Sequence, residues 1–279
     1  MKTGRRTVAA AAFVGALGLS VLNAPAAQAA DTGIIVSDLV INDYKPIVVG
    51  TTKEVHPTFT FNLTLPAGYS STDISRYDVL PYLYHGDLQG KAVKNGQNVI
   101  RAGSVGFYER DTRHARCEGY FSIDPDPAGF NPTDSNSDAT TWKTAISLVL
   151  FTSKGQLKVK AKETETRPNT VQLKRAAKTT TNATPEPVTK GKKVTVTGKV
   201  TRANWSTKKY DAYSGRTVSL QFRAKGAKAY KTLKKATSSS AGNLKTTVTA
   251  GVDGYYRWVY YGNSTTGAAT SAADYVDVR

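Results

Sequence analysis

The chain has 279 residues, of which 21% are charged, and its formal net charge at pH 7 is +17. Cys117 is the only cysteine, which excludes an intramolecular disulfide, so packed apolar cores must stabilise the folded protein. The length suffices for two domains of ordinary size, and the excess of positive charge favours anionic partners.

Residues 1–30 have the parts of a secretory signal peptide. A positive n-region is followed by an apolar run of about 15 residues, which is shorter than the about 20 that a membrane-spanning helix needs. Small residues then provide an A-x-A cleavage site at Ala27-Gln28-Ala29. We therefore expect cleavage and export. The C-terminus has no apolar tail, so we expect no transmembrane segment and a protein that is secreted, extracellular or loosely associated with the cell wall.

Residues 31–175 are predicted to form an N-terminal β-sandwich domain. Period-two alternation is frequent, and in "TFTFNLTL" it places Phe59, Phe61, Leu63 and Leu65 on one face of a strand. Seventeen Lys and Arg residues nearly balance sixteen Asp and Glu residues in this range. This half of the chain resembles no characterised family.

The stretch "IDPDPAGFNPTDSNSD", residues 123–138, is a candidate calcium loop. Its oxygen-bearing side chains alternate in the way that a hard cation needs, but an EF-hand would have Gly and Glu where this chain has Ala139 and Ala145. A solvated turn explains the same composition, because Asp and Asn side chains bond their own backbone. Both readings stay open, so we expect no cofactor, with calcium as the alternative. The candidate ligands are Asp124, Asp126, Asp134, Asn136 and Asp138.

Cys117 with His114 nearby is the one candidate for nucleophilic catalysis. A thiolate activated by histidine would make a cysteine-dependent wall-remodelling enzyme possible. However, Cys117 alternates with Gly119, Phe121 and Ile123, which predicts a buried thiol. We therefore predict a protein that is not an enzyme and has no catalytic residue.

Residues 176–190 are predicted to be a linker, and residues 191–279 a C-terminal β-sandwich. The linker range has small polar residues, two prolines and no apolar periodicity. The range after it has short alternating runs separated by glycine-containing turns, which is typical of a sandwich. The predicted inward residues are Val194, Val196, Val218, Leu220, Phe222, Leu244, Thr246, Val248, Tyr256, Trp258, Tyr260, Val276 and Val278. The predicted architecture is thus all-β, with two tandem immunoglobulin-like sandwiches after the signal peptide.

The C-terminal third resembles an immunoglobulin-like domain that recurs in secreted proteins of actinobacteria, notably streptomycetes. The resemblance rests on "VTVTGKVTR" with Trp205 following, "GRTVSLQFR", "GNLKTTV", "DGYYRWVYYGNSTT" and "DYVDVR". It implies an extracellular sandwich, often appended to other modules, and no catalytic residue. The cysteine pair of antibody domains is missing, so the core is expected to rest on Trp258 and its aliphatic neighbours.

Positive charge is concentrated in the second half of the chain. Residues 176–279 have eighteen Lys and Arg residues against five Asp and Glu residues. Such a field concentrates polyanions, so we predict contact with an anionic cell-wall polymer or polysaccharide. No motif for sequence-specific nucleic-acid recognition is present. The candidate anion-binding residues are Lys225, Lys228, Lys231, Lys234, Lys235 and Arg257, with Tyr255 and Tyr261 facing outward beside them.

These observations favour a secreted, non-enzymatic binding or structural protein associated with the cell envelope. Its basic C-terminal domain would contact the anionic polymer. The alternative is an extracellular calcium-binding protein that uses the loop of residues 124–138. A cysteine-dependent enzyme is the third hypothesis.

Overall fold

The computed structural model describes residues 31–279, apart from residues 87, 89–98, 130, 132, 153, 154, 156 and 157. The regular structure in these ranges consists of β-strands and three short 3-10 turns, which confirms the all-β prediction. The predicted signal peptide lies outside the described residues. Within the described part of the chain, no helix is long and apolar enough to cross a membrane.

The first half of the chain forms one eight-stranded sheet. The strands are β1 (Ile35–Ile41), β2 (Ile47–Val49), β3 (Thr58–Thr64), β4 (Tyr77–Tyr84), β5 (Val99–Glu109), β6 (His114–Phe121), β7 (Thr141–Phe151) and β8 (Val159–Arg175). Their order is β1-β3-β6-β5-β4-β7-β8-β2. Strand β5 joins the two halves of the sheet, because residues 99–101 pair with β4 and residues 102–109 pair with β6. The sheet thereby turns back on itself around one core.

Alternation along β3 supplies much of this core. Phe59, Phe61 and Leu63 are each 1% exposed, and Leu65 is fully buried, as their spacing predicts. Aromatic and branched side chains suit a pleated surface that is buried on one face. Full burial stabilises the fold by about 1.5–3 kcal/mol for each such side chain.

The second half of the chain forms two packed sheets. The strands are β9 (Ala177–Thr184), β10 (Lys193–Asn204), β11 (Lys209–Ala212), β12 (Thr217–Ala224), β13 (Lys231–Thr237), β14 (Asn243–Thr249), β15 (Gly254–Tyr260), β16 (Ala269–Thr270) and β17 (Asp274–Val276). One sheet contains β9, β10, β11 and β14, and the other contains β12, β13, β15, β16 and β17. Val194, Leu220 and Trp258 are fully buried between them, as predicted. The sandwich prediction is confirmed.

Part of the predicted linker is a strand. Residues 177–184 form β9, which pairs with β10 from Thr195 to Arg202 and follows β8 after the single residue Ala176. Threonines favour strands, but only Ala183 of β9 is buried, so the sequence has no apolar periodicity to reveal the strand. The domain limits proposed from the sequence otherwise stay a prediction.

The two domains are joined by a side chain that crosses between them. Trp205 follows β10 of the second domain, yet its fully buried indole belongs to the core of the first. Its Nε1 donates a hydrogen bond to the Val49 carbonyl at 3.3 Å, and its backbone N–H donates to Asn136 Oδ1 at 3.0 Å. Arg175 Nε donates to the Ala203 carbonyl at 2.5 Å nearby. The domain junction is therefore packed and hydrogen-bonded.

Candidate anion-binding site

The predicted lysines lie on and beside β13, the edge strand of the second sheet. Lys234 pairs with Leu220 and Lys231 pairs with Phe222, so both follow the inward face of β12, whereas Lys235 points to the opposite face. A register shift between Leu220 and Gln221 accompanies this division. The predicted stripe of lysines is thus divided between the two faces of β13.

The other two predicted lysines lie in the turn that connects β12 to β13. Lys225 approaches Asp253 to 3.6 Å, and Lys228 is exposed. On β13, the Lys234 ammonium donates a hydrogen bond to the Thr247 carbonyl at 2.8 Å. The role of the lysines in binding remains a prediction.

A second cationic surface, with two arginines set among tyrosine rings, lies on the outward face of β12 and β15. Because Leu220, Phe222, Tyr256 and Trp258 point inward, the residues that alternate with them point outward. Gln221 pairs with Arg257 and Arg223 pairs with Tyr255 across the two strands. We call this surface the arginine–tyrosine face. It consists of Gln221, Arg223, Tyr230, Tyr255, Arg257, Tyr261 and Tyr275.

The guanidinium of Arg257 is held at the centre of this face. Its Cζ lies 3.6 Å from the centroid of the Tyr230 ring. Its Nε donates a hydrogen bond to Gln221 Oε1 at 2.9 Å, and Gln221 Nε2 donates to the Tyr261 hydroxyl at 3.1 Å. Stacking and this hydrogen bond fix the plane of the guanidinium before any ligand arrives.

Arg223 extends the same surface toward β17. Its Cζ lies 4.4 Å from the ring centroid of Tyr255 and 5.2 Å from that of Tyr230, and its Nη1 donates to the Ala227 carbonyl at 2.9 Å. The Tyr255 and Tyr275 rings follow, with centroids 5.1 Å apart. Cations and aromatic rings therefore alternate along the face.

Neither guanidinium has a carboxylate partner among the described residues, since no Asp or Glu there forms an ion pair with Arg223 or Arg257. Asp253 accepts hydrogen bonds from the Val278 backbone N–H and the Tyr275 hydroxyl. Both hydrogen bonds lower the pKa of Asp253, and the bond from Val278 has the larger effect. Two fixed guanidinium groups with unused N–H donors suit the bidentate binding of carboxylate or phosphate.

Sequence reasoning identified Arg257, Tyr255 and Tyr261 but missed Arg223. The signal was present, because the alternation in "SLQFR" that buries Leu220 also turns Arg223 outward. What the sequence could not give is the stacking on Tyr230, which depends on the cross-strand register.

The candidate calcium ligands near the start of the acidic stretch stabilise turns. Asp124 Oδ1 accepts a hydrogen bond from the Asp126 backbone N–H at 2.8 Å. Asp126 Oδ1 accepts one from the Ala128 backbone N–H at 2.9 Å. These are the local contacts expected of a solvated turn.

The other candidate ligands are directed elsewhere. Asn136 Nδ2 donates to Asn204 Oδ1 at 2.8 Å at the domain junction, and Asp134 is half-buried. Asp138 is buried 3.4 Å from His85 Nε2, and burial raises the pKa of its carboxyl group. Within the described ranges, no three His, Cys, Asp or Glu side chains are grouped to hold a metal ion. Calcium binding stays a prediction, without support from this arrangement.

The cysteine and histidine of the enzyme hypothesis are separated by their strand. Cys117 is fully buried, and burial raises the pKa of its thiol to about 12. His114 lies on the opposite face of β6, where Nδ1 is 2.8 Å from Asp111 Oδ1. The imidazole therefore does not activate this thiol.

No protein-family model and no curated protein sequence matches the chain. Three solved structures of low similarity are fibronectin(III)-like modules of Clostridium thermocellum CbhA, the mouse nectin-like molecule 4 ectodomain (Ig1–Ig3), and the D0–D1 domain of intimin. Their identities are 10%, 9% and 12%, and their TM-scores are 0.29, 0.25 and 0.23. The matches cover 86%, 86% and 87% of this chain and 93%, 64% and 98% of theirs. TM-scores this low carry no functional argument, and the sandwich assignment rests on the strands themselves.

Proposed function

We propose that this chain is a secreted, non-enzymatic binding protein whose second domain attaches it to an anionic, hydroxyl-rich polymer of the cell envelope. The arginine–tyrosine face is the contact surface. The observation that carries the proposal is the pair Arg223 and Arg257, which lie over the rings of Tyr255 and Tyr230 at 4.4 Å and 3.6 Å and have no carboxylate partner among the described residues.

The chemistry of the face favours a polymer of charged sugars or polyols. Guanidinium groups bind carboxylates and phosphates in a bidentate geometry, and their stacking on tyrosines reduces the entropy lost on binding. Tyr261, which is 65% exposed, adds an aromatic surface and a hydroxyl group. The local excess of positive charge raises the concentration of such a polymer near the domain.

Binding of the full mature chain to immobilised polygalacturonate, and to purified cell wall that bears a polyol-phosphate polymer, tests the proposal. Arg223→Gln with Arg257→Gln should weaken binding at least about tenfold, because charge-assisted hydrogen bonds are lost. Binding of the unaltered chain should weaken steeply as salt is added.

The matched control is Lys53→Gln with Lys158→Gln, which removes the same charge from exposed positions of the first domain. Melting curves establish that both double variants are folded. Equal binding by the two variants would overturn the role of the arginine–tyrosine face. Stronger binding to duplex DNA than to either polymer at the same salt concentration would overturn the ligand class.

A further inference from the structure

The sheet on the other side of the sandwich contains an open groove of about 570 Å³. It crosses β9, β10 and β14, and we call it the threonine groove. Its lining residues are Thr180, Thr181, Asn182, Thr197, Gly198, Lys199, Asn243, Leu244 and Lys245. Thr180 and Asn182 come from the segment that the sequence predicted to be a linker.

The strand register arranges the outward side chains of the groove in two rows. Lys199 lies opposite Thr180 on one side and Asn243 on the other. Thr197 lies between Asn182 and Lys245 in the same way. Lys199 and Lys245 are therefore diagonal neighbours on adjacent strands, with their Cα atoms on the order of 7 Å apart.

These two lysines have no nearby negative charge among the described residues. Strands β9, β10 and β14 contain no Asp or Glu, and neither Lys199 nor Lys245 forms an ion pair within the described ranges. Like charges on neighbouring side chains of a sheet repel each other. An anionic group between them would relieve the repulsion, and the hydroxyl and amide groups of the rows would bond to neighbouring hydroxyls of the same ligand.

The threonine groove and the arginine–tyrosine face belong to opposite sheets of one sandwich. Trp258 fills the space between the sheets, and its Nε1 donates to the Thr197 carbonyl at 3.0 Å. Side chains on the outer surfaces of two packed sheets point away from each other, with the sheets roughly 10 Å apart. A single polymer segment in contact with one surface therefore leaves the other surface available.

We propose that the threonine groove is a second site for the anionic, hydroxyl-rich polymer, so that one domain bridges two polymer segments. This inference rests on the function proposed above for the opposite face. Bridging converts a protein that merely binds the polymer into one that crosslinks it, since the second contact recruits a separate segment.

Light scattering from soluble polygalacturonate mixed with the full mature chain tests the inference. We expect scattering to rise with the unaltered chain and to be lost with Lys199→Gln and Lys245→Gln. Binding of that variant to a sparsely coated polygalacturonate surface should change less than about threefold, since the arginine–tyrosine face, which we propose as the stronger of the two sites, is intact. The control chain with Lys53→Gln and Lys158→Gln has the same net charge as the variant with Lys199→Gln and Lys245→Gln, and it should scatter as the unaltered chain does.

We call the chain with Lys199→Gln and Lys245→Gln the groove variant. Scattering that persists in the groove variant would overturn the bridging proposal without affecting the function proposed for the arginine–tyrosine face. Sparse-surface binding by Arg223→Gln with Arg257→Gln that stays within about threefold of the unaltered chain would instead overturn the proposed function, in which this face is the stronger site, so the two failures are distinguishable. Duplex DNA provides the comparison ligand. If the unaltered chain and the groove variant scatter equally with DNA, while only the variant loses scattering with polygalacturonate, the result supports a carbohydrate ligand for the groove. Loss of both in the variant would overturn that ligand class.

Discussion

The indole of Trp205 donates a hydrogen bond to the Val49 carbonyl at 3.3 Å, although the two residues belong to different domains. Trp205 extends from the end of β10 and completes a core built by the first domain. The stability of the first domain therefore depends on a residue that lies 30 positions after Arg175, the last residue of β8.

Trp205→Ala should destabilise the chain of residues 31–279 by about 3–5 kcal/mol, because it leaves a large cavity and an unpaired carbonyl. The midpoint of denaturant unfolding, followed by circular dichroism, measures the change. Tyr44→Ala is the control, since Tyr44 is 79% exposed and its loss should cost less than about 0.5 kcal/mol. Similar effects of the two substitutions would show that the junction does not stabilise the protein.

Gly198 is required where β10 passes the indole of the second core. A Cβ at this position would lie 2.3 Å from the Thr180 carbonyl oxygen and 2.7 Å from Trp258 Cδ1. Gly198→Ala should therefore destabilise the protein by about 1–3 kcal/mol, as overpacking does. Gly251→Ala provides a matched control, because nothing lies within 4 Å of its added methyl group. A neutral Gly198→Ala substitution would mean that the sheets can separate locally at little cost.

The sequence predicts the directions of side chains well because alternation along a strand is local. Phe59, Trp258 and Cys117 are buried as their spacing requires. It fails where the deciding contact lies far along the chain. The composition of β9 predicts a linker, because its pairing with β10 cannot be read from the sequence. The position of Trp205 in the chain likewise predicts that it packs in the second domain, whereas it bonds to Val49 in the first.

The candidate site shows the same division. Arg257 and Tyr255 point outward, as the alternation along β15 predicts. The prediction from sequence, however, placed the lysines of β13 in a single group. The register shift after Leu220 and the alternation of β13 separate Lys235 from Lys234. Clustering in sequence therefore gave the lysines of β13 too much weight. The outward direction of Arg223 follows from the alternation of β12, but its contact with the Tyr255 ring depends on the pairing of β12 with β15.

Calcium should not change the melting temperature of the chain of residues 31–279. The carboxylates of Asp124 and Asp126 accept backbone hydrogen bonds in turns, and Asp138 is buried beside His85. A ligand that binds only the folded state would raise the melting temperature in proportion to its affinity. Melting curves with calcium and with chelator make the comparison. A rise that Asp124→Asn with Asp126→Asn abolishes would restore the calcium hypothesis.

The thiol of Cys117 should be inert in the folded protein. It is fully buried, and burial raises its pKa to about 12, so almost no thiolate exists at neutral pH. A thiol-reactive probe should label one site per chain after unfolding in guanidinium and essentially none before. Rapid labelling of the native chain would contradict the burial of the Cys117 thiol and would support the enzyme hypothesis.

Tyr213 should be the first tyrosine to ionise. Burial opposes its ionisation, but hydrogen bonds with Thr266, Tyr260 and Asn263 and the charge of Arg202 lower its pKa to about 8. In the unfolded chain a tyrosine keeps its proton up to about pH 10. At Tyr213 the unfolded state therefore binds more protons between these two values, so the contribution of Tyr213 to stability should increase as the pH rises from about 8 to 10.

Tyrosinate absorbance measured against pH tests this directly. We expect one of the fifteen tyrosines to ionise near pH 8, and Tyr213→Phe to remove that step. Arg202→Gln should move the step to higher pH, because the guanidinium carbon lies 4.3 Å from the centre of the Tyr213 ring and stabilises the phenolate. Tyr261→Phe is the control, since Tyr261 is exposed and lies outside this cluster. A first ionisation only near pH 10 would show that burial outweighs the hydrogen bonds and the charge around Tyr213.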